Sequence, residues 1–391
     1  MGAGLLFPRI YIGTSGWDYD DWLDVFYESE RGMFTYYARF FNTVEINSSF
    51  YSLLGEKFYK GLAEAAPEGF VFSLKMYQGI THKRLLNPRL VEKELDFFLK
   101  SIEPLRAAGK LGAVLIQMPP RSRREIPWFN EFLDMLPSNV RFAVEFRDES
   151  WLSEDIFKRL ADRNIAYTVV DEPLLPPVVR ITADFGYFRW HGRGERPWYY
   201  YHYSLEELKG WASKISEVIG EVKMLLGYFN NHFRGFAPHN ALQMVVLLGI
   251  ANKRQREKLE EMEKYFASAP RKYERELQEA LSSGDLDKAL RLLAGERRFE
   301  RATGISDSEV KYTLQGGVLR GTVKQYFVGV DPGGRRIVHD CEDWRKSLET
   351  KRLCKHIVKL FQVLPREYSL NVLRDFAENM DEWTFEYGRS I

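Results

Sequence analysis

The chain is poor in cysteine. Its 391 residues contain two, Cys341 and Cys354, both close to the C-terminal end. Thiol catalysis and a disulfide framework are therefore excluded for everything upstream of them. Long apolar runs are absent as well, and a membrane span needs about 18 or more consecutive apolar residues. The opening MGAGLLFPRIYIG lacks the basic start and long apolar centre of a signal peptide, which gives the expectation of a cytoplasmic protein with no membrane association. An excess of one charge is missing too: 56 Lys and Arg face 55 Asp and Glu, for a net charge of +1. Contact with nucleic acid then requires a local patch rather than the field of the whole chain. There is no phosphate-cradling GxxxxGK[ST], no GxGxxG after a strand and no G-x-S-x-G elbow.

What the chain does have is alternation. Residues 1–250 alternate short apolar strands with amphipathic helical patterns. The strand candidates are Arg9–Gly13, Thr43–Asn47, Val71–Met76, Ala113–Met118, Phe142–Phe146, Ala166–Asp171, Tyr187–Trp190 and Val222–Asn230. Helical patterns fill most gaps, but EPLLPPVVRITADF, between the sixth and seventh strands, does not read as a helix. Eight such units predict an α/β fold, an irregular (β/α)₈ TIM-type barrel, with a doubly wound sheet as the main alternative. The barrel is expected over residues 1–251. A charged helical connector follows over 252–302, as two helices punctuated at Ala269–Pro270. A small α+β module with a last helix around Ser369–Glu378 fills 303–391, with strands at Val310–Leu314 and Val323–Val330.

A barrel of this kind carries its site at the C-terminal strand ends. Here those ends are polar. The first strand runs into GTSGWDYDDW, with Trp17 and Tyr19. The second, VEINSSFY, puts Glu45 and Asn47 on one face and is followed by Tyr51. The third presents Lys75, with His82 beyond it, and the fourth Gln117. The fifth, in FAVEFRDESW, presents Glu145 and Arg147 two apart and so on one face. The sixth ends at Asp171. The seventh, YFRWHGR, carries Arg189, Trp190, His191 and Arg193, and the eighth ends at Asn230, Asn231 and His232. Any one of these reads equally well as a structural hydrogen-bond partner. All eight together are costly to bury without a purpose.

The segments GTSGWDYDDW, VEINSSFY, SLKMYQGITH, LIQMPP, VEFRDESW, FRWHGRG and YFNNHFRGFAPHNA resemble, in order, the motifs of the YecE-like family, also called domain-of-unknown-function family 72. The resemblance covers about residues 8–250 and implies a TIM-type barrel more than it implies an activity.

The residue types narrow the chemistry. Glu45, Lys75, Glu145, Arg147, Asp171, Arg189 and His191 suit acid–base work on an anionic substrate, a phosphate ester above all. Trp17, Tyr19, Asn47, Tyr51, Gln117, Trp190, Arg193, Asn230 and Asn231 are the expected substrate-binding set. A carboxylate pair acting on glycosides is the competing chemistry. The carboxylates are also open to a divalent metal such as Mg²⁺, and His82, His191, His202, His232 and His239 to a multi-zinc site.

Near the C-terminus, His339, Cys341, Cys354 and His356 form H-x-C-x₁₂-C-x-H. Two close pairs of N and S ligands suit one structural Zn²⁺. The pattern resembles a SWIM-type zinc finger, C-x-C then C-x-H, with His339 in place of the first cysteine. That resemblance implies contacts with nucleic acid, DNA before RNA, or with protein partners. Nearby Lys324, Arg335, Arg336, Arg345, Lys346, Lys351, Arg352 and Lys355, with Tyr326, Phe327 and Trp344, agree with a nucleic-acid surface. The expectation from sequence is a nucleic-acid-processing hydrolase, a repair-type endonuclease whose zinc module binds nucleic acid. The alternatives are a hydrolase or lyase of a small anionic substrate and a non-enzymatic nucleic-acid-binding adaptor.

Overall fold

A computed structural model describes residues 8–194, 200–380 and 382–390, apart from the side chains of residues 269–274, 346, 349 and 350. The chain divides into two compact units, residues 1–263 and 264–391. The division falls inside one helix, Lys253–Ser283, which continues through Pro270 where the sequence pattern predicts a break.

The first unit is an eight-stranded parallel sheet. Its strands are β1 (Arg9–Thr14), β2 (Thr43–Ile46), β3 (Val71–Lys75), β4 (Leu111–Gln117), β5 (Phe142–Glu145), β6 (Ala166–Asp171), β7 (Phe185–Trp190) and β8 (Met224–Phe229). Their order, β1-β8-β7-β6-β5-β4-β3-β2, is that of a barrel. The seam between β1 and β2 is narrow: Ser15 bridges Glu45, and the Gly16 amide donates to the Glu45 carbonyl at 2.8 Å. Gly13 permits this approach, because a Cβ there would lie 2.3 Å from the Thr43 carbonyl oxygen. Helices follow most strands. None lies between β6 and β7, where three prolines, Pro173, Pro176 and Pro177, predict irregular backbone.

Side chains two apart share a face, and the barrel interior shows this period in layers. Tyr11, Val71, Ala113, Leu115, Ala143, Ala166, Phe185, Tyr187, Leu226 and Tyr228 form its apolar filling. The Tyr228 hydroxyl lies 2.8 Å from both the Thr43 and Ser73 hydroxyls. Continuing the same faces by two residues reaches Glu45, Lys75, Gln117, Glu145, Arg189 and Asn230.

The second unit has a five-stranded sheet of β9 (Val310–Gln315), β10 (Val318–Val323), β11 (Tyr326–Asp331), β12 (Arg336–His339) and β13 (Thr384–Tyr387), ordered β13-β12-β11-β10-β9. The sequence pattern merges the end of β10 with β11 into one strand. Backbone at positive φ at Lys324 splits them into a hairpin. Of the predicted connector, Leu277, Leu281, Leu286, Leu290, Leu293 and Phe299 are buried in one core with Val328, Ile337, Ile357 and Phe361. Their apolar stripe recurs at helical spacing, and burial of that stripe outweighs the charged composition.

Candidate functional site

β2, β5 and β7 each carry a buried charge at the last or next-to-last residue: Glu45, Glu145 and Arg189. Arg189 lies at the centre of these charges and is 1% exposed. It donates through Nη1 to Glu145 at 2.5 Å and through Nη2 to Glu45 at 2.8 Å. Glu45 also accepts from the Ser15 hydroxyl at 2.9 Å and the Tyr187 hydroxyl at 2.7 Å. Glu145 accepts further from Gln117 at 2.7 Å and pairs with Arg147. Arg147 reaches on to Glu172. The result is a chain of alternating charge, Glu45–Arg189–Glu145–Arg147–Glu172, lying across the strand ends. Each ion is compensated by a neighbour, which is the condition for burying it.

The surroundings set the protonation states. Burial opposes ionisation of Glu145, but the Arg147 and Arg189 guanidiniums prevail and hold its carboxyl well below the usual range. His191 accepts at Nε2 from both arginines, 3.1 Å from each. Guanidinium groups only donate and so favour an unprotonated Nε2, whereas Glu145 Oε1, 3.4 Å from the same nitrogen, only accepts. Burial and the same two cations push the imidazole down to about 3. The sequence gives Glu145 and His191 proton-handling roles. In the structure both have fixed protonation states and anchor the arginines.

Two other groups keep a titration near neutrality. Burial, opposed by Arg147, pushes Glu172 up to about 7. Its Oε1 is buried with no hydrogen-bond partner among the described residues. Burial, followed by the charge on Arg189, lowers Lys75 to about 7. The Lys75 ammonium stands 4.1 Å from the centre of the Phe50 ring.

Glu172 is absent from the sequence-derived set, which takes Asp171 instead. Ala166 faces the barrel interior, so Thr168, Val170 and Glu172 share its face and Asp171 points away. Asp171 accepts from Arg193 at 2.6 Å and from the Trp211 indole at 3.0 Å. The same parity separates Trp190 from Arg189 and His191. Trp190 is buried on the outer face, stacked on Phe229 at 4.5 Å and edge-on to Trp211, which corrects its expected contact with a substrate. Asn231 is likewise structural, donating to the Tyr201 carbonyl and to Asn240 at 2.8 Å each. Asn230 lies 3.0 Å from His191 Nδ1. Asn47 has a buried Oδ1 without a described partner.

Of the aromatic candidates, Tyr51 is 66% exposed. Tyr19 stacks on His232 and donates to the Ser15 carbonyl, and Trp17 packs edge-on to Phe34. The five barrel histidines do not assemble: His202 and His239 pair at 2.8 Å, His82 meets Phe50, and His191 sits among the arginines. Among the described residues, no group of three or more metal-ligating side chains forms in the barrel. The carboxylates proposed for Mg²⁺ are occupied by arginines.

Residues 11–264 match the family described as protein of unknown function DUF72. The chain belongs to this family. It is 29% identical over 268 residues to the UPF0759 protein YunF of Bacillus subtilis (strain 168), covering 62% of this chain and 95% of YunF. It is 28% identical over 167 residues to the UPF0759 protein YecE of Escherichia coli (strain K12), covering 42% of this chain and 58% of YecE. The crystal structure of a DUF72 family protein from Thermotoga maritima MSB8 aligns with a TM-score of 0.55 and 32% identity, over 62% of this chain and 99% of that one. A DUF72 family protein from Enterococcus faecalis V583 shares the fold, with a TM-score of 0.56 and 23% identity, over 63% of this chain and 97% of that one.

The DUF72 match ends where the second unit begins, and that unit has a cluster of its own. The ligand atoms of His339, Cys341, Cys354 and His356 all lie within 4.8 Å of one another, and all four residues are buried. β12 ends at His339, Cys341 caps the helix Glu342–Thr350, and Cys354 precedes the helix Lys355–Val363. The quartet can hold a metal ion. His339 Nδ1 donates to the Phe327 carbonyl at 2.5 Å, which leaves Nε2 facing His356 at 3.4 Å. The basic residues around the quartet are largely engaged. Arg335 binds Asp375 and Glu382, Arg336 faces Glu386, Arg345 covers Tyr387, and Lys351 donates to the Met380 carbonyl. The side chain of Lys346 lies outside the described residues. Lys311 and Tyr312 on β9 and Arg320 on β10 are exposed. Among the described residues, no helix is long and apolar enough to cross a membrane.

Proposed function

We propose that the barrel of this DUF72 protein processes a phosphate ester of nucleic acid by acid–base chemistry at its strand ends. One observation carries this reading. Glu172 offers a buried oxygen without a described partner beside Arg147, whose side chain is 16% exposed. A carboxyl group titrating near 7 can accept and return a proton at neutral pH. The accessible edges of Arg147 and Arg193 would hold phosphate oxygens. Arg189, Glu45, Glu145 and His191 would fix Arg147 in place rather than react. This is the organisation expected of a preorganised electrostatic site.

The quartet of the second unit is read as a zinc site of SWIM type. For a regular tetrahedron, Zn–S bonds of about 2.3 Å and Zn–N bonds of about 2.05 Å give edges of about 3.8 Å and 3.4 Å. The sulfur atoms stand 3.9 Å apart and the facing nitrogens 3.4 Å. Zinc there would hold β12 to the helix Lys355–Val363 and take no part in the chemistry. The exposed Lys311, Tyr312 and Arg320 support nucleic acid, DNA before RNA, as the partner of this unit. A protein partner is the competing use of the module.

The test is incubation of the full chain with end-labelled DNA and RNA, single- and double-stranded, intact and damaged, with Mg²⁺ or with chelator. Cleavage that falls at least about 10²-fold in Glu172→Gln supports the assignment. Absence of cleavage across the panel would overturn it and favour an adaptor.

A further inference from the structure

Lys75 stands apart from the other cations of the strand-end site. Arg189 is held by Glu45 and Glu145, Arg147 by Glu145 and Glu172, and Arg193 by Asp171. Every carboxylate of the site is thus committed to an arginine, and among the described residues none forms an ion pair with Lys75. β3 ends at Lys75, on the interior face it shares with Val71 and Ser73. Its backbone is fixed, since the Ser49 hydroxyl donates to the Lys75 carbonyl at 2.7 Å. Its side chain lies against the Phe50 ring, with His82 edge-on to the same ring.

An amine in this position has a recognised chemical use. A lysine desolvated against an apolar wall and next to other cations is a nucleophile toward carbonyl carbon. We propose that Lys75 forms a Schiff base with an aldehyde or ketone that carries a phosphate group. This rests on the reading of the strand-end face as a site for anionic substrates, which supplies the phosphate contact. The nitrogen lone pair adds to the carbonyl carbon. The oxygen takes one proton from the attacking nitrogen and one from solvent, and leaves as water. The product is an iminium, which delocalises electrons from the adjacent carbon.

The environment supports the step. With the amine lowered to about 7 by burial and Arg189, about half of it is unprotonated at pH 7. An ordinary lysine near 10.4 has roughly 10³-fold less free amine at that pH. Arg147 is close enough to contribute to the shift and is partly exposed, so a phosphate can reach it.

The aldehyde–phosphate chemistry has two sources, a small phosphorylated aldehyde and the ring-opened sugar of an abasic site in DNA. The experiment treats the full-length protein with glycolaldehyde phosphate in one arm and an abasic duplex oligonucleotide in the other. Borohydride then reduces the iminium to a stable secondary amine, and intact mass and peptide mapping locate the adduct. The expected result is one adduct at Lys75 in at least one arm, and the arm that traps identifies the source. Trapping should be half-maximal near pH 7 rather than rising to pH 10. Lys75→Arg, which keeps a cation and cannot form an imine, should abolish the adduct while circular dichroism shows an intact fold. No adduct at Lys75 in either arm, or equal trapping by Lys75→Arg, would overturn the proposal. An adduct without cleavage of the nucleic-acid panel leaves it standing and removes the phosphodiester reading. Cleavage without an adduct does the reverse.

Discussion

Arg189 joins Glu145 to Glu45: one guanidinium, 1% exposed, donates to both carboxylates, at 2.5 Å and 2.8 Å. Glu145 is already saturated by Arg147 and Gln117. A carboxylate held in this way anchors the site and does not carry protons. Glu145→Gln should therefore act first on stability. Breaking a buried pair by removing one charge costs about 3–5 kcal/mol, because the partner is left uncompensated. Thermal or urea unfolding of the variant should show a loss of this size. Unchanged stability with a large loss of activity would return Glu145 to a chemical role.

Glu172 gives a prediction in pH. Its folded-state titration is raised to about 7, against roughly 4.3 in an unfolded chain. A raised group contributes stability that is complete below the unfolded value and is lost as pH rises through the folded value. The wild type should therefore lose about 1–3 kcal/mol from this group between pH 5 and pH 8. Glu172→Gln has no charge to gain, so it should become more stable relative to wild type over the same interval. Denaturant midpoints measured at pH 5 and pH 8 check this, and a difference that does not grow with pH would exclude it.

These two carboxylates show how far the sequence could be read. Strand alternation made the eight units and most of the ring legible, because period two places Glu145 with Arg147 and Arg189 with His191. At β6 the strand bounds Ala166–Asp171 were right and the face was wrong. Counting in twos from Ala166 reaches Glu172, just past the strand end, and leaves Asp171 on the other face. Trp190 failed for the same reason, as a large aromatic in a polar motif that belongs to the opposite face. The division of work among the ring residues was not legible at all. Which arginine saturates which carboxylate depends on the register between neighbouring strands, and only the fold supplies it. In the second unit, the β10–β11 break was hidden because Lys324 is not a usual residue for backbone at positive φ.

Tyr51 separates binding from stability. It is 66% exposed, so Tyr51→Ala should change folding stability by no more than about 0.5 kcal/mol. A base stacked on an aromatic ring contributes about 1–3 kcal/mol. If single-stranded nucleic acid enters the strand-end face, the variant should bind a labelled oligonucleotide about 5- to 150-fold more weakly. Equal binding by variant and wild type would place the nucleic-acid contact away from this rim.

The last prediction concerns His339, which stands where the resemblance to SWIM-type fingers calls for cysteine. Its Nδ1 is committed to the Phe327 carbonyl at 2.5 Å, and this bond fixes the ring so that Nε2 faces Cys341, Cys354 and His356. A histidine held by its second nitrogen in this way is oriented for a metal. If the quartet holds zinc, the purified protein should contain about one zinc per chain, and chelation should unfold the second unit, because ligand binding and folding are coupled. Cys354→Ser should lose that zinc. His339→Ala removes one of four ligands and should weaken zinc binding by at least the 10- to 100-fold typical of losing even an outer-shell partner. His339→Cys restores a soft ligand at the same position and should recover most of the binding. Metal analysis and competition with a chromogenic chelator give the three affinities. Equal zinc retention by His339→Ala and wild type would show that His339 only packs beside a site made by other residues. Loss in both His339 variants, with the fold intact, would show that the imidazole geometry set by Phe327 is required.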